Sequence, residues 1–232
     1  MTKANRKISP SLMCCDIYDI NESVKLLEKK GVDYLHIDIM DGHFVRNLGF
    51  GIDFIQNLRS HTKIPFDFHL MVENPNKIIP MLGIKNDDIV SIHFESTYHI
   101  QETINLIKKY HCKLFLALNP GTPVLILDIM YPFIDGINFM TVHPGFAGQT
   151  MVQSSFDKFS RLKHFLQHNN KNNILLEVDG NMTLENAKTF SRLGANIFVA
   201  GTSSIFPNHK LDIAALGRFK KTINIHQQDE IS

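Results

Sequence analysis

The chain of 232 residues suits one large domain or two small ones, and an apolar share of 44% is ample for a sizeable core. Lysine and arginine number 24 against 23 acidic residues, which excludes a global field recruiting nucleic acid or an anionic membrane. Residues 1–7 lack the apolar run of a secretion signal, and no stretch is long and apolar enough to span a bilayer. Cys14, Cys15 and Cys112 form neither a CxxC pair nor an even framework, and nothing near Cys14 or Cys15 marks a reactive thiolate. The expectation is a soluble cytoplasmic protein without a nucleic-acid or membrane partner.

Apolar, strand-like runs occupy 7–13, 34–40, 65–72, 89–95, 113–119, 137–143, 174–179 and 197–201. Helical stretches with start signals separate them. Asp19 and Asn21 precede Val24, Leu26 and Leu27. In 154–166, Phe156, Phe159, Leu162, Phe165 and Leu166 recur at helical spacing, with Asp157, Lys158, Arg161 and Lys163 between them. Thr183 has Glu185 and Asn186 in the turn that follows it. Eight strands alternating with about eight helices predict an α/β fold, a single (β/α)8 TIM barrel, over a doubly wound open sheet. No repeat, low-complexity tract or linker interrupts the pattern, so 1–232 reads as one domain, with frayed ends at 1–6 and 226–232.

The most informative strand is 34–40. Alternation puts His36, Asp38 and Met40 on one face and Leu35, Ile37 and Ile39 on the other. An imidazole and a carboxylate in apolar company each cost free energy unless paired or bound to a metal. The pair is therefore half of a metal site or a satisfied His–Asp hydrogen bond. In a parallel barrel the chemistry sits at the carboxyl ends of the strands. There the third strand adds Asp67, His69 and Met71, and the seventh adds Glu177 and Asp179. Two histidines and two aspartates so placed complete much of a divalent coordination shell and leave positions open for substrate. Met40, Met71 and Met140 line the pocket or fill the core. Glu177 is placed to orient its neighbours, and His93 to support the site or the structure rather than ligate. His111, His164, His168 and His226 read as surface residues.

Glycine-rich turns follow the last three strands: 144–149, Asp179-Gly180-Asn181, and Ala200-Gly201-Thr202-Ser203. Their backbone amides, with a helix N-terminus behind each, suit a phosphate group, although any one alone serves equally as a tight turn.

These residues also carry a resemblance. Ile8-Ser9-Pro10-Ser11, the run from His36 to Val45, Asp67 to Val72, Met140 to Phe146, Glu177-Val178-Asp179-Gly180 and the Gly201 turn resemble, in order, the motifs of the ribulose-phosphate 3-epimerase family. The resemblance implies a metal-dependent isomerase that inverts C3 of a ketose phosphate. It implies one divalent ion (zinc, iron(II), cobalt or manganese) on His36, Asp38, His69 and Asp179. Asp38 would accept the proton and Asp179 donate it, from opposite sides of the barrel mouth, with Ser11 and His69 touching substrate. The phosphate would rest on Gly145, Phe146, Ala147 and Gly148, on Gly180 and Asn181, and on Gly201 and Thr202. A homo-oligomer is the implied assembly. The loop after the second strand departs from the family at Arg46, and Ala147 and Asn181 stand where glycines are usual. Ser9 to Cys14, Gly145 to Gln149 and Gly201 to Ser203 are more similar to the allulose-6-phosphate branch, which leans the substrate toward six carbons over five. The alternatives are an inactive phosphosugar-binding relative and a metal-free lyase or synthase; the latter needs a strand-end lysine that these strands lack.

Overall fold

The computed structural model describes residues 6–224; of the ends expected to fray, 1–6 and 226–232, all but Arg6 lie outside them, and Arg6 is instead held in place, its guanidinium donating to the Ser191 and Ala195 carbonyls. Eight strands run parallel: β1 (Lys7–Pro10), β2 (Leu35–Met40), β3 (Phe66–Met71), β4 (Ile89–His93), β5 (Lys113–Leu118), β6 (Gly136–Met140), β7 (Leu175–Asp179) and β8 (Ile197–Ala200). They pair in the order β1-β8-β7-β6-β5-β4-β3-β2, and a parallel bridge between Ser11 and His36 joins the two ends. This is the (β/α)8 barrel expected from the alternation.

Seven α-helices are described: α1 (Ile20–Lys29), α2 (Ile52–His61), α3 (Ile100–Lys108), α4 (Leu127–Met130), α5 (Ser155–His168), α6 (Leu184–Leu193) and α7 (Ile213–Ile223). The expected eighth, between β3 and β4, is instead two 3-10 turns, Pro75–Lys77 and Ile79–Met81. Pro75 and Pro80 supply no amide to an α-helical ladder there, and the same limit shortens α4, set between Pro123 and Pro132. Thr183 caps α6 by accepting from the Asn186 amide. On α5, Phe159, Leu162 and Leu166 are buried, and Phe159 meets Phe139 of β6 edge-on at 5.2 Å.

Alternation along the strands divides the interior. Outward residues such as Leu35, Ile37 and Ile39 of β2 pack under the helices. Inward residues change character along the barrel axis. The amino-terminal end is plugged by Tyr34, Ile89, Phe115 and Ile197. Gly136 makes room for that plug, since a Cβ there would sit 2.4 Å from the Phe115 ring. Above it lies a buried polar layer containing Ser9, Asp67, Ser91, Asn138 and Glu177, and above that the carboxyl-terminal mouth. The hydrophobic plug thus closes one end and leaves a single wet end for chemistry.

Candidate active site

Strand register brings the inward residues together. Asp38 on β2 lies beside His69 on β3, and Met40 beside Met71. The Asp38 Oδ1 stands 3.5 Å from His36 Nε2 and 3.6 Å from His69 Nδ1. Asp179 Oδ2 approaches the same two nitrogens at 3.5 and 3.3 Å. Both nitrogens are buried, and neither has a hydrogen-bond partner. Two orphaned imidazole nitrogens facing two carboxylate oxygens at these separations match the ligand-to-ligand spacing of a cation bound at about 2.0–2.1 Å, roughly 3.3–3.4 Å for a tetrahedral shell. His36, Asp38 and His69 alone also group as potential ligands within 4.8 Å of one another.

Each ring's far nitrogen is engaged. His36 Nδ1 pairs with Asp67 Oδ2 at 2.8 Å, and the Ser9 hydroxyl donates to the same oxygen at 2.8 Å. His69 Nε2 lies 2.8 Å from His93 Nε2. Asp38 Oδ2 accepts from the Ser11 hydroxyl at 2.8 Å, which leaves Oδ1 toward the imidazoles. Burial alone would raise the Asp38 and Asp179 carboxyls, but the two imidazoles outweigh it and hold both low, Asp179 at about 2. Burial works to lower His36 and His69, and the surrounding carboxylates reverse it, raising both. Burial keeps His93 low, at about 4, and so neutral at pH 7. Glu177, beside Asp67, is pushed well up by burial and by that neighbouring charge.

A cleft of about 540 Å³ opens over these residues. Ser11, Asp38, His69 and Asp179 form part of its wall, with Met40, Met71 and Met140. Gly145, Phe146, Ala147, Gly148, Gly180, Asn181, Gly201 and Thr202 also line it, so the three glycine turns meet at one cleft. Gly180 has φ of +108°, and a Cβ would fall 2.6 Å from Val142 Cγ2. Asn181 takes the left-handed conformation, φ +47°, that asparagine tolerates, and Ala147 lies outside that region, so neither departure from glycine strains the turn.

Two expectations need correction. β2 and β7 are separated by β1 and β8 around the barrel, so Asp38 and Asp179 are not diametrically opposed; their carboxylates converge on the same two nitrogens, His36 Nε2 and His69 Nδ1. No α-helix begins directly behind the Gly201 turn. There the amides of Ser204, Ile205 and Phe206 bond back to the Gly201 carbonyl, and α7 starts only at Ile213. α5 and α6 do follow the other two turns, from Ser155 and Leu184. Arg46 is exposed, while its neighbour Asn47 donates to the Gly145 carbonyl at 2.8 Å and so ties the second-strand loop to the cleft wall. Sequence reasoning gave no role to Asp67 or Glu95. No sequence signal marks Glu95, which lies two residues beyond the end of β4, and only strand register reveals Asp67 beside His36.

The family described as the ribulose-phosphate 3 epimerase family matches residues 7–206. A ribulose-phosphate 3-epimerase of Bacillus subtilis (strain 168) is 38% identical over 197 residues, 85% of this chain and 91% of that one. One from Buchnera aphidicola subsp. Baizongia pistaciae (strain Bp) is 40% identical over 222 residues, 94% and 96% of the two chains. The chloroplastic ribulose-5-phosphate-3-epimerase of Arabidopsis thaliana is 37% identical over 87% of this chain and 72% of its own. Among solved structures, a mutant tryptophan synthase α-subunit from Pyrococcus furiosus superposes with a TM-score of 0.64 at 15% identity, covering 96% of this chain and 98% of that one, a likeness of fold alone. With the barrel, the convergent histidines and aspartates, and relatives of this identity over most of its length, the chain belongs to the ribulose-phosphate 3-epimerase family, isomerases that act on carbohydrates.

Proposed function

We propose that the chain inverts C3 of D-ribulose 5-phosphate by removing a proton on one face and returning one on the other, with a divalent ion held by His36, Asp38, His69 and Asp179. The observation that carries this reading is the pair of buried, unpartnered nitrogens, His36 Nε2 and His69 Nδ1, facing both carboxylates. The named relatives support the five-carbon sugar over the six-carbon one toward which the turn sequences lean. Bound there, the ion supplies positive charge where the enediolate oxygens become negative.

The chain's own residues do the rest. Asp38, held low and steadied by Ser11, is ionised and ready to take the C3 proton. In the forward direction Asp179 must first take up a proton from solvent at the cleft mouth, which it then gives to the opposite face; left ionised, it serves as the base in the reverse direction, with protonated Asp38 as the acid. The turns at Gly145–Gly148, Gly180–Asn181 and Gly201–Thr202 hold the phosphate and fix the sugar's register above the carboxylates. Met40, Met71 and Met140 surround the reacting carbon with polarisable surface that excludes water. The test is NMR in deuterated water with metal-loaded protein, offered D-ribulose 5-phosphate and, separately, D-allulose 6-phosphate. Deuterium at C3 together with the epimer is expected, fastest with the five-carbon sugar. Faster turnover of the six-carbon sugar would move the protein to the other branch, and no exchange with either would overturn the reading.

A further inference from the structure

His93 and Glu95 lie behind the site, at the carboxyl end of β4 and just beyond it. His93 is fully buried and packed between the His69 ring, with centroids 5.0 Å apart, and Phe44, at 4.8 Å. Its Nε2 lies 2.8 Å from His69 Nε2, so one proton sits between the two nitrogens. Its Nδ1 faces Glu95 Oε2 at 3.5 Å. The other oxygen of Glu95 accepts from the Thr122 hydroxyl, on the loop after β5.

The direction of this chain follows from His69. Its Nδ1 is the buried nitrogen turned toward Asp38 and Asp179, and a ligand nitrogen must present a lone pair. A neutral His69 then carries its proton on Nε2 and donates to His93 Nε2. His93 must in turn carry its own proton on Nδ1, toward Glu95. With the opposite direction His69 Nδ1 would hold a proton and face the cation with an N–H. A carboxylate at Glu95 stabilises the first arrangement by its charge: at 3.5 Å it lies beyond a hydrogen bond, but it faces His93 Nδ1, which has no other partner, favours a proton on that nitrogen and offers nothing to donate. His36 is served by a carboxylate directly, Asp67, whereas His69 is served through a second imidazole.

Resting on the proposed metal site, we infer that His93 and Glu95 are positioning residues that hold His69 in the tautomer presenting Nδ1 to the metal. Neither touches the cation or the substrate; both act through His69. An outer partner of this kind typically changes metal affinity about 10–100-fold when removed.

The experiment measures zinc affinity by chelator competition for the wild type, His93→Phe, His93→Gln and Glu95→Gln, beside ring ¹⁵N–¹H spectra of the zinc-loaded proteins. Phenylalanine fills the space and cannot accept, so affinity should fall about 10–100-fold. Glutamine at 93 restores an acceptor oxygen and should recover most of the loss, which a packing defect would not. Glu95→Gln should weaken binding by a smaller factor. In the wild type His69 should show a protonated, hydrogen-bonded Nε2 whose proton signal shifts and exchanges faster in His93→Phe. Wild-type affinity in folded His93→Phe, or an unprotonated His69 Nε2 in the zinc form, overturns the inference. If His93→Phe does not fold, Glu95→Gln at wild-type affinity overturns it equally. Wild-type protein that binds no zinc would instead refute the proposed site, and the inference would fall with it.

Discussion

Asp88 illustrates how the scaffold behind the site can be tested. Only 1% exposed, it lies immediately before β4 and gathers four donors. Arg59 of α2 donates from Nη1 at 3.1 Å and Nη2 at 2.6 Å, and the amides of Phe66 and Lys85 donate at 2.7 Å each. The carboxylate thus ties α2 to the beginnings of β3 and β4, the strands that carry His69 and His93. The Arg59 guanidinium also lies over the Phe66 ring at 3.5 Å. Asp88→Ala strands a mostly buried guanidinium and two amides, a loss of about 3–5 kcal/mol where one partner of a buried pair is removed. Burial pushes the Asp88 carboxyl up against the pull of its donors, so part of the attraction is already spent on desolvation, which favours the lower end, about 3 kcal/mol. For a domain of this size that is a fall in Tm of roughly 6–12 °C. Arg59→Met leaves Asp88 its two amides and should cost less, about 1–2 kcal/mol. Urea unfolding of the two single variants and the double variant measures the coupling. Loss of less than about 1 kcal/mol in Asp88→Ala would refute the clasp.

Other predictions follow from single residues. Gly180→Ala must place a Cβ against Val142 in a left-handed turn, so it should cost about 1–3 kcal/mol in thermal unfolding and raise KM for the phosphosugar more than it lowers kcat; an unchanged KM would contradict the phosphate role of that turn. Burial raises the Cys112 thiol to about 11, so its reactive thiolate becomes abundant only as pH rises toward that value. Iodoacetamide should therefore modify native Cys112 at pH 8 at least ~100-fold more slowly than an unfolded control, and a comparable rate would contradict its burial. Met140→Ala, opening the wall without touching a ligand, should reduce kcat while leaving metal stoichiometry unchanged, as read by metal analysis beside turnover.

Local periodicity made the strands readable. Each of the eight runs contains an observed strand or overlaps it within a residue or so, because β-branched and apolar alternation is a property of neighbouring residues. The inward face of β2 was readable for the same reason, since His36 and Asp38 had to share one side. What failed was what depends on distant partners or on backbone direction. The β3–β4 crossover reads as helical by its position in the alternation, yet Pro75 and Pro80 deny it the amides an α-helix needs. The relation of Asp38 to Asp179 depends on the shape of the closed barrel, which no single strand encodes. Asp67 looked like one more carboxylate on a ligand-bearing strand; only the pairing of β2 with β3 turns it toward His36 Nδ1 and away from the mouth. Glu95 was silent because its value lies two side chains away from the site, through His93.

The most direct test of two carboxylates working on two faces is C3 proton exchange in deuterated water by Asp38→Asn and Asp179→Asn, each with verified metal content. D-ribulose 5-phosphate and its C3 epimer are supplied separately to each variant. Each asparagine variant should lose epimerisation by about 10²–10⁴-fold or more, as expected for removal of one proton-transferring group. The remaining carboxylate should still exchange the C3 proton of the one epimer that presents it, a different epimer in each variant. Epimerisation within tenfold of wild type in either variant, or equal exchange of both epimers by one of them, would contradict the account.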